Sequence, residues 1–542
     1  MGQNNKKDGF VVQAGILAMA GILVRIIGIL YRSPLTEIIG DEGNGYYSSA
    51  YNIYTIILLI SSYSIPSAIS KVIAQRLALR EYRNAHRIFH CAILYVVIVG
   101  VIASLFTFFG AGWLVEDNCK SVLRVFAPTI FLSGLLGVLR GYFQAHRTML
   151  QTSVSQIMEQ ILNAIVSLLA AHMLIQTVAT ESETTQAING AIGSALGTGS
   201  GVLIALLFMW AVYGLNRKLI ITRVRKDVRH QELSYRQIFG IIFSMVTPFI
   251  LSTFIYNFST SLNQTIYTKI MKHVMNWSES MIAVNYGIFA GKAVVISNIP
   301  IAIASSMSSA MIPSISASYA QGDKEKTHHQ IYVAVQTTML ISIPCAFGMF
   351  ALAEPITALL FPQKESLALA ASLLRAISVS VIFYALSTLT NAVLQGIGKV
   401  NVPVINAAAA LVVQTLVLVV LLLYTKLSLY ALAVAMIVYS FLMCLLNNVA
   451  VRKALGYRQE IVKTFLKPAL SALVMGVSAY YVYKVVYMIV PVNLIALALA
   501  VFVAVIIYFT LVIKTGALSE EELKNIPKGG AIVRLAKKLH LL

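Results

Sequence analysis

Charge is what this chain has least of. Only 11% of its 542 residues are Asp, Glu, Lys or Arg, against 58% hydrophobic, and the mean hydropathy is +0.80. Soluble domains carry about 25% charged residues, so a chain this poor in them cannot cover a water-facing surface. Carboxylates are the scarcer sign, 21 against 41 Lys and Arg. The densest acidic and histidine cluster outside the apolar runs, "GDKEKTHH" at Gly322 to His329, has no second carboxylate group converging on it. Membrane enzymes that need an acidic metal site or a His with a carboxylate are therefore disfavoured. The four cysteines, Cys91, Cys119, Cys345 and Cys444, show neither CxxC nor metal-ligand spacing and carry no chemistry. No catalytic residue, metal or cofactor is expected.

Apolar runs are what the chain has. They recur at 11–31, 46–66, 88–114, 121–144, 152–176, 187–213, 238–260, 281–305, 331–360, 367–394, 402–424, 428–450, 465–489 and 491–513. Each is near the ~20 residues that cross a hydrocarbon core, which predicts an all-α polytopic membrane protein of fourteen helices. "MGQNNKKDGF" leads straight into a full-length run, so no cleaved signal is expected. The formal charge of +20 follows the positive-inside rule rather than nucleic-acid binding. With the N-terminus cytoplasmic, thirty Lys and Arg fall on the cytoplasmic side and nine on the other, while Arg25 and Lys292 lie inside spans. Both termini are thus placed in the cytoplasm.

The chain repeats itself. "IPSAISKVIAQ" from Ile65 and "IPSISASYAQGD" from Ile312 are offset by 247 residues, and Gln144 and Gln395 close equivalent spans at an offset of 251. Six spans per block make the repeat parallel, with its axis along the membrane normal. The predicted organisation is a lobe over 1–213, a basic cytoplasmic linker over 214–237 and a second lobe over 238–450. Two further helices follow over 451–513, then an amphipathic cytoplasmic tail over 514–542 with a capping-box pattern at Ser519 and Glu522.

Charges near the bilayer centre are costly and face cavities or partners. Lys292 lies about 16 Å along its span at 1.5 Å per residue. Arg25 and Arg32, two turns apart, share a helix face with Gly21 and Gly28, although Arg32 alone resembles an interfacial anchor. Polar stripes add Ser48, Asn52, Thr55 and Ser62 in the second span, and Ser252, Tyr256, Ser259 and Asn263 in the seventh. These helices are the predicted cavity walls. The fifth-span stripe, Ser153, Gln156, Gln160, Asn163 and Ser167 beside Glu159, reads as packing within the first lobe. Two cations and at most one carboxylate suit an anion, and phosphate matches the fork of Arg and the point charge of Lys.

"LRGYFQAHRTMLQTSVSQIMEQILN", Leu139 to Asn163, resembles the RGxFQG...M.PTAVSQ..EQ signature of the MurJ and SpoVB-like flippases of the multidrug/oligosaccharidyl-lipid/polysaccharide (MOP) exporter superfamily. "LVRIIGILYR", "GYYSSAYNIYTIILLISSYSIPSAISK" and "MIPSISASYAQGDKEK" extend the resemblance along the chain. It implies a two-lobe transporter that moves a polyprenyl-diphosphate-linked saccharide, lipid II in the MurJ group, from the inner to the outer leaflet. It further implies a bacterial cytoplasmic membrane location, the bilayer and the cell-wall synthesis machinery as partners, and a monomer. Arg25, Lys292 and Arg32 would hold the diphosphate, with Ser48, Asn52, Thr55, Tyr256 and Asn263 lining the cavity. Gly21, Gly28, Arg140, Gln144 and Glu159 would serve packing or gating. Gln151, Ala145 and Asn163 depart from the signature, Asn52 lies near a position where some members carry arginine, and the proposed sodium-binding carboxylates of other members have no counterpart. The alternatives are a multidrug and toxin exporter of the same superfamily and a flippase for another envelope or spore polysaccharide precursor.

Overall fold

In the computed structural model, residues 4–518 are described apart from 64, 147, 226, 228–231 and 362; side chains at 4–18, 22, 62, 63, 67, 68, 78, 244–257, 306, 307, 309–314, 317 and 320 are also outside the description. Tyr256, Ser252, Ser62 and the tail motif at Ser519 and Glu522 lie outside the described residues. All regular structure among the described residues is helical. Among the described residues, ten helices are long and apolar enough to cross a membrane, or eleven if the pair Lys364–Ser378 and Ser380–Gly396, bent by 44°, counts as one span. The protein is an all-α, multi-pass membrane protein. Its exterior is correspondingly inverted, with Trp113 91% and Met488 80% exposed.

The chain divides into two compact units, Met1–Gly291 and Lys292–Leu542. The first unit opens with α1 (Asn4–Leu58), which continues through the segment expected to be a loop at 32–45. Pro34 sits inside it, and Gly40 breaks it at φ 69°, ψ 178°, a backbone conformation open essentially to glycine alone. The 32–45 loop is therefore replaced by a kink. A π-helical turn (Leu59–Tyr63) leads into α2 (Ile65–Ala78), then α3 (Tyr82–Leu114), α4 (Lys120–Ala145), α5 (Met149–Thr177), α6 (Glu183–Arg225), α7 (Tyr235–His273) and α8 (Glu279–Gly287). A π-helical turn over Ile288–Ala293 crosses the division.

Helix α6 carries Gly193, Gly197 and Gly201 at four-residue spacing, which brings them onto one face. A Cβ at these positions would lie 2.3 Å from Ala171 N, 2.0 Å from Ser167 Oγ and 2.5 Å from the Glu159 carbonyl oxygen. The α5 and α6 backbones are thus in direct contact, as small residues permit in lipid, where apolar side chains give helices little reason to associate. The basic segment after α6 is docked on α3. Asp227 accepts from the Arg83 amide (2.8 Å), Glu232 pairs with Arg87 (2.6 Å), and the Leu233 amide donates to Asn84 Oδ1 (3.0 Å). Helix α7 then starts on a capping box between Ser234 and Gln237.

The second unit comprises α9 (Val294–Ala320), α10 (Lys324–Ala351), α11 (Ala353–Leu360), α12 (Lys364–Ser378), α13 (Ser380–Gly396), α14 (Asn401–Tyr424), α15 (Leu429–Leu455), α16 (Lys467–Ile489) and α17 (Asn493–Lys514). Ile331, Val335 and Met339 of α10 share one core with Leu389 and Val393 of α13, Ala472 and Ala479 of α16, and Ala500 and Ala504 of α17. Asn447 bridges α15 to α13 through Asn391 (2.7 Å) and accepts from Asn406 of α14 (2.9 Å), so its buried amide is satisfied on both sides.

Candidate functional site

Helices α1, α4, α5 and α6 of the first unit, with Pro66 of α2, line a polar cavity of about 570 Å³. Each offers one periodic face: Gly28, Tyr31 and Arg32, then Tyr47, Tyr51 and Tyr54 from the two legs of α1; Ser133, Gly137, Arg140 and Gln144 from α4; Gln156, Glu159, Gln160 and Asn163 from α5; and Thr198 from α6. Steps of three and four residues place each set on a single stripe. Because α5 is seated on the α6 backbone, its amide wall has a fixed backing.

The cavity holds two guanidinium groups and one carboxylate. Arg140 donates from Nη2 to Glu159 Oε2 (2.7 Å) and from Nε to Ser155 Oγ (2.9 Å), which ties α4 to α5 and neutralises the acid. Arg32 stands 5.8 Å from the Tyr47 ring centroid and, among the described residues, forms an ion pair with no carboxylate. The cavity therefore carries one net positive charge on a planar, five-donor group. Tyr47 and Tyr51 stack at 5.6 Å and 16°, and Tyr54 stacks on Phe126 at 4.7 Å and 21°. Aromatic faces, amide donors and acceptors, and one arginine are the groups that bind sugar C–H faces, sugar hydroxyls and a phosphoryl oxygen respectively.

A second constellation lies where α1 crosses α8. A Cβ on Gly45 would lie 1.9 Å from the Ala283 carbonyl oxygen, and one on Gly287 2.0 Å from that of Asp41, so the backbones touch. Around the crossing Asn52 donates to Gln264 and to Tyr286 OH (2.9 Å), and Ser261 donates to the Asn52 carbonyl (3.3 Å). At its end Lys272 bridges Glu116, between α3 and α4, and Glu279 (2.6 Å) at the start of α8.

Residues 10–319 match the polysaccharide biosynthesis protein family, more than half of the chain. The chain belongs to this family. A second match, to the MatE family, covers residues 289–421. The chain is 26% identical to the lipid II flippase MurJ of Bacillus subtilis (strain 168) over 490 residues, 85% of this chain and 86% of that one. It is 23% identical to the stage V sporulation protein B of the same organism, with 83% and 85% covered. In fold it is similar to a solved lipid II flippase MurJ in an inward closed conformation, at a TM-score of 0.66 and 14% identity over 91% of this chain and 97% of that one.

Against this family background the sequence-predicted residues separate into groups. Arg32, Gly28, Gln144, Arg140 and Glu159 line the cavity, and a Cβ on Gly28 would come within 3.2 Å of Gln160. Arg32 is therefore a cavity residue and not merely an interfacial anchor. Arg25 is exposed on the first leg of α1 and is not part of this lining, and Gly21 has open space where a Cβ would stand. Asn52 belongs to the α1–α7–α8 crossing, Ser48 and Asn263 are buried, and Thr55 is half-buried. Lys292, in the second unit, is 1% exposed; its Nζ donates to Ser366 Oγ at 2.6 Å and stands 6.0 Å from the Phe361 ring centroid. The fifth-span stripe, expected to be packing, instead divides: Ser153 and Ser167 are buried, while Gln156, Glu159, Gln160 and Asn163 form a cavity wall. The tyrosine face of α1 was not anticipated, although Tyr47, Tyr51 and Tyr54 stand at helical spacing in "YYSSAYNIY".

Proposed function

We propose that this protein flips a polyprenyl-diphosphate-linked saccharide, most closely of the lipid II class, from the inner to the outer leaflet. The observation that carries the reading is the net-positive cavity in which Arg32 faces a wall of amides and tyrosines. In this account Arg32 contacts the diphosphate, Tyr47 and Tyr51 bear on the sugar, and Gln156, Gln160 and Asn163 exchange hydrogen bonds with its hydroxyls. Arg25, two turns earlier on the same helix, is the next cation along the path. Lys292, buried against Ser366, is assigned to packing. The full organisation is fourteen spans with both termini cytoplasmic, in two six-helix lobes that alternate access. The charge asymmetry and the internal repeat support it.

The MatE match favours one competing reading, export of cationic drugs. A cation entering this cavity would meet Arg32 and find Glu159 already paired with Arg140, so the anionic cargo is preferred. The deciding experiment depletes a bacterial host of its own lipid II flippase and supplies this chain. Restored growth, with lipid II translocation in reconstituted vesicles, is expected for the wild type. Abundant, folded protein that neither restores growth nor binds a lipid-linked sugar would overturn the proposal. A spore or envelope polysaccharide precursor as cargo would show as binding of that lipid-linked sugar in preference to lipid II.

A further inference from the structure

A smaller cavity of about 250 Å³ lies apart from the one described, sharing none of its lining residues. It is built where α3 and α5 begin and α4 and α6 end, so in this antiparallel bundle all its walls lie at one level, the end bearing the basic segments. Tyr82 and His86 come from α3, His146 closes α4, Gln151 stands in the first turn of α5, and Arg223 reaches in from α6.

The chemistry of this pocket is asymmetric. Its charge is the Arg223 guanidinium, close enough that, with burial the larger cause, it helps to lower the pKa of His146. The His146 ring donates from Nδ1 to the Tyr142 carbonyl (2.9 Å), so in the neutral ring Nε2 is an acceptor. Among the described residues, His86 Nδ1 and Gln151 Oε1 are buried without a hydrogen-bond partner. Buried polar atoms in folded proteins are nearly always satisfied, so these two on one pocket are acceptors suited to a ligand's donors. The α5 N-terminus adds a second electropositive element, because its N-cap Thr148 uses its hydroxyl on the Phe143 carbonyl (2.9 Å) and caps no amide. Leu219, part of the lining, is 66% exposed, and Leu215, one turn earlier on the same face of α6, is 84% exposed, an apolar rim beside the cationic mouth.

We propose that this pocket binds the headgroup of an anionic glycerophospholipid of the surrounding leaflet. The phosphodiester sits between Arg223 and the α5 N-terminus, headgroup hydroxyls donate to Gln151 and the histidines, and the acyl chains lie over Leu215 and Leu219. A free phosphate would satisfy the cation but leave the acceptors and the apolar rim unused. The site is independent of the saccharide cavity and does not rest on the cargo assigned to it.

The test uses the full-length protein in phosphatidylcholine vesicles with or without phosphatidylglycerol, followed by native mass spectrometry of retained lipid. Phosphatidylglycerol should be retained over phosphatidylcholine. Arg223→Glu should lower its retention at least about tenfold, the scale of losing a charge-assisted hydrogen bond. Arg225→Glu, on the same helix but outside the lining, should change it by less than about twofold. Gln151→Leu should reduce the preference for phosphatidylglycerol over phosphatidic acid, which lacks the headgroup hydroxyls. Equal losses in Arg223→Glu and Arg225→Glu would mean diffuse surface charge and overturn the site. Complete displacement of the lipid by inorganic phosphate or glycerol 3-phosphate would overturn the lipid assignment.

Discussion

Replacing Gly45 with alanine tests the α1–α8 crossing most directly. The new Cβ would meet the Ala283 carbonyl oxygen at 1.9 Å, its carbon at 2.5 Å and Cα at 2.8 Å, all backbone atoms that no rotamer change can move aside. Ordinary contact begins near 3.4 Å, so the two helices must part by about 1.5 Å, as happens when a packed interface is overfilled. A hydrogen bond of 2.9 Å does not survive that displacement, so Asn52 loses Tyr286 of α8. With about 1 kcal/mol for that hydrogen bond and about 1–3 kcal/mol for the overfilled contact, the loss is on the order of 2–4 kcal/mol. A shift of that size changes the population of the packed crossing by about thirtyfold or more. Spin labels at Ser49 of α1 and Met281 of α8 report it as a distance distribution. Gly45→Ala should lengthen and broaden that distribution. Gly21→Ala, where a Cβ meets nothing within 4 Å, should leave it unchanged. An unaltered distribution in folded Gly45→Ala would refute the reasoning.

Four further outcomes are expected. Arg32→Ala should weaken lipid-linked sugar binding at least about tenfold per folded molecule, Arg32→Lys less so because the bidentate fork is lost but the charge kept, and Arg25→Ala least of the three. Arg140→Ala should lower stability by about 1–3 kcal/mol, since it leaves the Glu159 carboxylate half-buried and without its cation; the swap Arg140→Glu with Glu159→Arg should recover part of it in thermal unfolding. Gly197→Ala, driven against Ser167 at 2.0 Å, should cost about 1–3 kcal/mol by the same measurement and narrow or distort the cavity. For topology, a cysteine at Ser182, in the α5–α6 connection, should react with an impermeant thiol reagent on whole cells. One at Lys218, in the last turns at the other end of α6, should not, and equal labelling would contradict cytoplasmic termini.

Much of the helical framework was legible because hydrophobic run length alone sets a membrane span. The α3 to α6 and α14 to α17 runs coincide with helices of the structure. What hydropathy does not encode is whether a helix ends between two runs. Residues 32–45 include Pro34, Gly40, Gly43 and Gly45, a turn-like composition, yet the chain bends at Gly40 and goes on. Cation depth was a weaker guide to the site than stripe chemistry. Lys292 is deep because a serine hydroxyl and an aromatic ring enclose it, whereas Arg32 reached the cavity from a position that read as an anchor. The fifth-span stripe was visible as a stripe, but its facing depends on the neighbour. The missing signal was the Gly193, Gly197, Gly201 series on α6, which settles which side of α5 turns to α6 and which is left for the cavity.

That glycine series also bears on the order in which the protein assembles. α5 and α6 are joined by a short connection at 178–182, and their contact runs from Ala171 back to Glu159. It therefore needs no partner distant in sequence, and loop closure costs it little. Once both helices are in the bilayer, this hairpin can form from its own residues alone, with Gln156, Glu159, Gln160 and Asn163 already turned to one side. Arg140 and the α1 tyrosines then dock against a finished surface, so an error in α1 or α4 spoils the fit of the cavity without undoing its back wall.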